Sequence, residues 1–156
     1  MKSPKLLAAS FALMISIFTL FVSAGYNQYR KNTVKCTANA IVNVNEYSLR
    51  ALFTYDFNWG NGAVVINGQL FKDSKSLGNF SRKVFFTYTI NGNGYNMTST
   101  RTLVSIADQA KSSELEKVLS DFYLKAGYQY NIALFKQGKS NYVLASSNFP
   151  SLYCYK

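Results

Sequence analysis

The chain has 156 residues, with 17 lysines and arginines against seven acidic residues, a formal charge of +10, and no histidine. The absence of histidine excludes Ser/His and Cys/His nucleophile pairs and imidazole metal sites. Aromatic residues make up 16% of the chain and prolines number two, which is the composition of a folded, strand-prone protein and not of a disordered one. The basic residues are scattered (Lys35, Arg50, Lys72, Lys83, Arg101, Lys125, Lys139), with no run beyond the pairs Arg30-Lys31 and Arg82-Lys83. That pattern reads as a solvated basic surface, and direct nucleic-acid binding is not expected.

Residues 6–25 carry no charge. At roughly 1.5 Å rise per residue they have the length of a membrane-spanning helix, which needs about 20 apolar residues. Ser10, Ser16, Thr19 and Ser23 do not forbid insertion, because their hydroxyls can bond back to helix carbonyls. Lys2 and Lys5 followed by the apolar run and Val22-Ser23-Ala24 also resemble a cleavable signal peptide. The length of the run and the flank of Tyr26, Tyr29, Arg30 and Lys31 favour an uncleaved anchor. The expected organisation is a cytoplasmic tail over 1–5, a transmembrane anchor over 6–25, a juxtamembrane linker over 26–35 and an exported domain over 36–156. The short basic tail is expected to stay in the cytoplasm and the rest of the chain to be exported across the membrane, since long domains translocate largely regardless of their charge.

Alternation of apolar and polar residues predicts strands over 36–44 and 49–57. Asn58-Trp59-Gly60-Asn61-Gly62 is a turn signal. A third strand over 63–71 is expected to be interrupted at Asn67-Gly68 by a bulge or tight turn. After a polar connection over 73–79, residues 82–90 are β-branched and aromatic, and Asn91-Gly92-Asn93-Gly94 predicts a hairpin to a partner strand over 95–106.

Helical spacing of Leu115, Val118, Leu119 and Phe122, with Ser113 and Glu116 as a capping box and Gly127 beyond the end, predicts a helix over 113–126. Two closing strands over 128–136 and 142–147 follow, and the tail 148–156 carries Cys154. One helix against a mostly antiparallel sheet of six or seven strands is an α+β arrangement, curled or barrel-like. Cys36 and Cys154 stand at the two ends of the exported domain, and an isolated pair in an oxidising compartment most simply forms one disulfide.

Little catalytic chemistry is legible. The carboxylates are dispersed, the Gly-rich pieces lack the strand-to-helix setting of a phosphate loop, and neither an enzyme nor a cofactor or metal is expected. Asn79-Phe80-Ser81 and Asn96-Met97-Thr98 match glycosylation acceptors only by pattern. What stands out is the aromatic excess. Phe53, Tyr55, Phe57, Trp59, Phe85 and Tyr88 are the candidate contacts for an amphipathic ligand or a partner domain, against the simpler reading of core packing. For Trp59 that simpler reading is a turn residue covering the sheet end. Arg82 and Arg101 are candidates for a pocket rim or for plain surface.

The order of parts resembles the FidL-like membrane proteins of enterobacteria, small co-regulators that pair with ToxR-type membrane-anchored transcription regulators. The resemblance rests on the N-terminal apolar run, the strand opening at Cys36, Val-Val-Ile-Asn-Gly-Gln-Leu over 64–70, Arg82 before the aromatic strand, Asp108 ahead of the helix, and the ending Asn148-Phe149-Pro150-Ser151-Leu152-Tyr153-Cys154. It implies a single-pass protein whose periplasmic domain associates with such a regulator and stabilises or switches it, by completing a shared barrel whose interior accepts an amphipathic molecule. The alternative is a stand-alone secreted ligand-binding or adhesion-related β domain released by cleavage after Ala24.

Overall fold

The computed structural model describes residues 4–138, 140–146 and 151–156, with the side chains of 4–10 and 12 outside the described set. The expected tail 1–5, Lys139 of the last hairpin and positions 148–150 of the closing motif therefore fall wholly or partly outside the described residues. The chain divides into two units, Met1–Thr33 and Val34–Lys156.

The first unit is a single helix, α1 (Pro4–Asn32). It continues through most of the span expected to be a linker. The Thr19 and Ser23 hydroxyls donate to the carbonyls of Ser16 and Leu20, as a hydroxyl in an apolar helix must. Arg30 and Lys31 lie in the last turn, where cations complement the exposed carbonyls. Asn32 and Thr33 close that end by donating to the carbonyls of Gln28 and Tyr29. Among the described residues no helix is long and apolar enough to cross a membrane. Phe11, Phe18, Leu20 and Phe21 are nevertheless 64–73% exposed.

The second unit is a closed antiparallel barrel. Its strands follow one another in chain order: β1 (Lys35–Val44), β2 (Tyr47–Asn58), β3 (Asn61–Lys72), β4 (Lys75–Asn91), β5 (Gly94–Val104), β6 (Gln129–Gln137), β7 (Asn141–Ala145) and β8 (Leu152–Tyr155). The sequence predicts six or seven strands. The eighth is β8, four residues of the tail that alternate Leu152 and Cys154 inward with Tyr153 and Tyr155 outward. Closure removes the edges that an open sheet would present.

Two-residue turns join the long strands. Trp59 and Gly60 have φ of 44° and 81°, and Asp73 and Ser74 have φ of 48° and 63°, the left-handed pairs that match the twist of a hairpin. The interruption expected at Asn67-Gly68 does not occur, since β3 pairs with β2 along all twelve residues. Gly68 is there for space: a Cβ would lie 2.5 Å from the Arg50 carbonyl oxygen and 2.8 Å from the Phe80 ring. The register shifts fall instead at Leu70/Phe71 and, between β4 and β5, at Phe85/Phe86.

The helix expected over 113–126 is also corrected. Only α2 (Ser112–Leu115) and a 3-10 turn over Asp121–Tyr123 form. Ser113 sits inside α2 and not at its cap, which is Lys111, so no capping box forms. Ser120 turns extended, at φ −64° and ψ 145°, and its hydroxyl accepts from the Phe122 amide. The break lets Leu115, Val118 and Leu119 and then Phe122, Tyr123 and Leu124 all reach the core, which an unbroken helix of that length could not do from one stripe. The charged face survives: Lys125 bridges Glu116 and Asp121, both at 3.1 Å.

Candidate functional site

The inward residues of β2 and β4 set the character of the interior. Phe53, Tyr55, Phe57, Phe86 and Tyr88 point in by strict alternation, and Phe122, Tyr123 and Tyr130 meet them from the connecting segment and β6. Phe57 makes edge contacts with Phe86, Tyr88 and Tyr95 at centroid distances of 5.2–5.3 Å. Phe122 stacks with Tyr130 at 5.5 Å. Rings in these geometries gain more than their buried area alone supplies.

The polar ends of these rings are paired inside the barrel. The Tyr55 and Tyr123 hydroxyls lie 2.8 Å apart, and Tyr130 donates to the Ser146 hydroxyl at 2.8 Å. Burial pushes the Tyr55 and Tyr123 phenols well above their ordinary pKa, and Tyr130 also upward, because a phenolate would lose its water shell there. The void that Tyr55, Tyr123 and Tyr130 share with Leu144 and Leu152 measures about 10 Å³, the space of one water at most.

Four of the six candidate contact residues, Phe53, Tyr55, Phe57 and Tyr88, are thus core side chains. The remaining two are on the outside. Phe85 faces outward between two cations, with the Lys83 ammonium 4.9 Å and the Arg101 guanidinium 4.7 Å from its ring centroid. Trp59 is 54% exposed at the β2–β3 turn.

Arg82 belongs neither to a rim nor to the surface. Its side chain is 3% exposed, its Nε donates to Asp108 Oδ2 at 2.9 Å, and its Nη2 donates to the Ala110 carbonyl at 3.3 Å. Asp108 also accepts from the Ser81 amide, so the pair locks the start of the connecting segment to β4. Both residues stand out in the sequence, Arg82 before the aromatic strand and Asp108 ahead of the connecting segment, but nothing in the sequence pairs them. The usable signal is an arginine at an inward position of a strand, which needs a buried acid.

Cys36 and Cys154 form the disulfide, with Cα atoms 5.4 Å apart. The bond lies across the closing seam, where β1 and β8 pair through only Thr37↔Tyr155 and Ala38↔Cys154. Among the described residues no group of three or more acidic or cysteine side chains could hold a metal ion.

Fold and site together define a class: an eight-stranded antiparallel barrel filled with aromatic side chains, stapled by one disulfide at its seam, with its exposed aromatic and basic groups on the outer wall. The YqeJ C-terminal domain family matches residues 33–154, and the chain belongs to that family. No curated protein matches the chain.

Proposed function

We propose that this chain is a membrane-anchored periplasmic co-regulator that meets a ToxR-type transcription regulator through the outside of its barrel. The observation that carries the reading is the disulfide across the barrel seam, which belongs in an oxidising compartment, joined in one chain to an uncharged N-terminal run. The anchor rests on residues 6–25 as a whole, whose first side chains lie outside the described set. Exposed Phe18, Leu20 and Phe21 on α1 favour a lipid environment over water. Tyr26, Tyr29, Arg30 and Lys31 supply the interfacial flank.

Two parts of the expectation change. The barrel closes on its own eight strands, so a partner is not needed to complete its wall. The interior aromatics pack on one another, so an amphipathic ligand would have to displace side chains to enter. The resemblance to the FidL-like proteins supports a regulatory partner, and contact through the outer wall is the form of pairing that a closed barrel allows.

The test is purification of the tagged full chain from membranes without reductant, with the intact mass measured and co-purifying chains identified. Recovery of a membrane-anchored winged-helix regulator with an uncleaved chain is the expected result. A mature mass beginning at Gly25 with no such regulator would overturn the reading in favour of a free periplasmic binder.

A further inference from the structure

The outer wall over β4, β5 and β6 carries a feature independent of the partner. The register places Thr87, Thr98 and Gln129 in one cross-strand row and Thr89, Asn96 and Asn131 in the next. All six side chains point outward and line a groove of about 460 Å³. These six carry hydroxyls and amides, and the other two lining residues, Tyr88 and Met97, are buried, with their side chains on the barrel's inner face. In a chain of net charge +10, no charged residue lines this groove.

The β2–β3 turn borders it. Asn61 pairs with Thr87, and the Gly60 carbonyl accepts from the Tyr88 amide at 2.8 Å, so Trp59 stands one residue from a backbone contact of the groove. Trp59 occupies the first central position of a tight turn at φ 44°, where Asn, Asp or Gly is preferred and a bulky side chain is strained. Its indole is held half-exposed there. Strain of this kind persists only where the surrounding structure holds it, and such positions cluster at binding sites.

We propose that this face, with Trp59 at its edge, binds a neutral glycan chain. The C–H face of a sugar ring stacks on an indole, and ring hydroxyls both donate and accept, which is what adjacent threonine hydroxyls and asparagine and glutamine amides answer in pairs. The lack of charge disfavours anionic ligands, which would find cations at Lys83 and Arg101 instead. A protein strand cannot add here, because β5 is paired on both sides at these rows. The apolar anchors of a protein interface are also missing from the six positions.

Trp59 is the single tryptophan, so its emission reports this site alone. The full chain, kept in a phosphocholine detergent free of sugar headgroups, is titrated with maltotriose, cellotriose and tri-N-acetylchitotriose, and with trigalacturonate as the anionic comparison. The expected result is a saturable emission change with at least one neutral trisaccharide. It weakens about tenfold or more in the N96A/N131A double variant, as the loss of paired hydrogen bonds requires, with the melting temperature unchanged. Trp59→Asn, which suits the turn, is expected to keep or raise the melting temperature while equilibrium dialysis shows binding lost. No response to any neutral trisaccharide, an equal response from the double variant, or tighter binding of trigalacturonate would overturn the proposal.

Discussion

The strands β1 to β5 and the strands β6 to β8 build one barrel by different means. The first five are 10 to 17 residues long, and β2 and β3 pair residue for residue along their whole length. The last three are nine, five and four residues long, and the seam to β1 has two residue pairs. Cross-strand pairs are the unit of sheet stability, so the meander β1 to β5 is held by its own ladders. The closing strands are held by what is added to them: a disulfide, a set of buried tyrosines, and a connecting segment pinned by an ion pair. Disturbing each addition in turn tests this contrast.

The largest effect is expected at the disulfide. Cys36 and Cys154 are 118 residues apart, and releasing a loop of that size costs on the order of 4 to 5 kcal/mol in the chain-entropy account. Cys36→Ser is expected to lower the unfolding free energy obtained from urea titration by that amount, with protease attack beginning in the C-terminal strands. Hydrogen exchange should rise first in β6 to β8. A uniform rise across all eight strands would show that the two regions are one cooperative unit.

The buried ion pair is expected to come next. Asp108→Ala leaves the Arg82 guanidinium enclosed without its acid, a change of about 3 to 5 kcal/mol. Replacing both residues by apolar ones of similar size, Arg82→Met with Asp108→Leu, should cost much less, since the desolvation of both charges disappears with the pair. Thermal unfolding of the single and double variants distinguishes a stabilising pair from one that mainly fixes where the connecting segment docks.

The same contrast explains what could be read from the sequence. In β2 the run Leu49, Ala51, Phe53, Tyr55, Phe57 alternates against Arg50, Thr54 and Asp56, with Leu52 the one apolar neighbour, and the structure keeps all five inward. The hairpin at 91–94 and the disulfide are where the residues place them, because both are decided locally or by elimination. The connecting segment failed as a helix because its apolar spacing is compatible with one stripe, while Ser120 bonds to the backbone locally and ends it. β8 is too short for any periodicity to show, and only its pairing with β1 and β7 makes it a strand. The role of Tyr123 was invisible for the same reason: its partner Tyr55 lies 68 positions away, and only closure brings the hydroxyls together.

The smallest effect expected is the one that isolates those tyrosines. Removing the Tyr55 hydroxyl as Tyr55→Phe should cost about 1 kcal/mol, since Tyr123 then loses a buried partner. The wild-type barrel carries the matching pH signature. Burial raises the phenol pKa values of Tyr55, Tyr123 and Tyr130, and takes Tyr95 up to about 12. In the unfolded chain these phenols ionise near the ordinary value of about 10. Below that pH both states hold the protons and the stability is fully present. Above it the unfolded state releases protons that the barrel retains, so stability falls with rising pH until the folded values are also passed. Tyrosinate absorbance followed against pH reads this retention of protons directly. The buried set should ionise later, in one step with the loss of the near-ultraviolet circular dichroism signal. Tyr55→Phe is expected to remove one phenol from that late step. If the late step instead precedes any loss of tertiary signal, the tyrosines are reachable in the folded barrel and the closing strands open on their own.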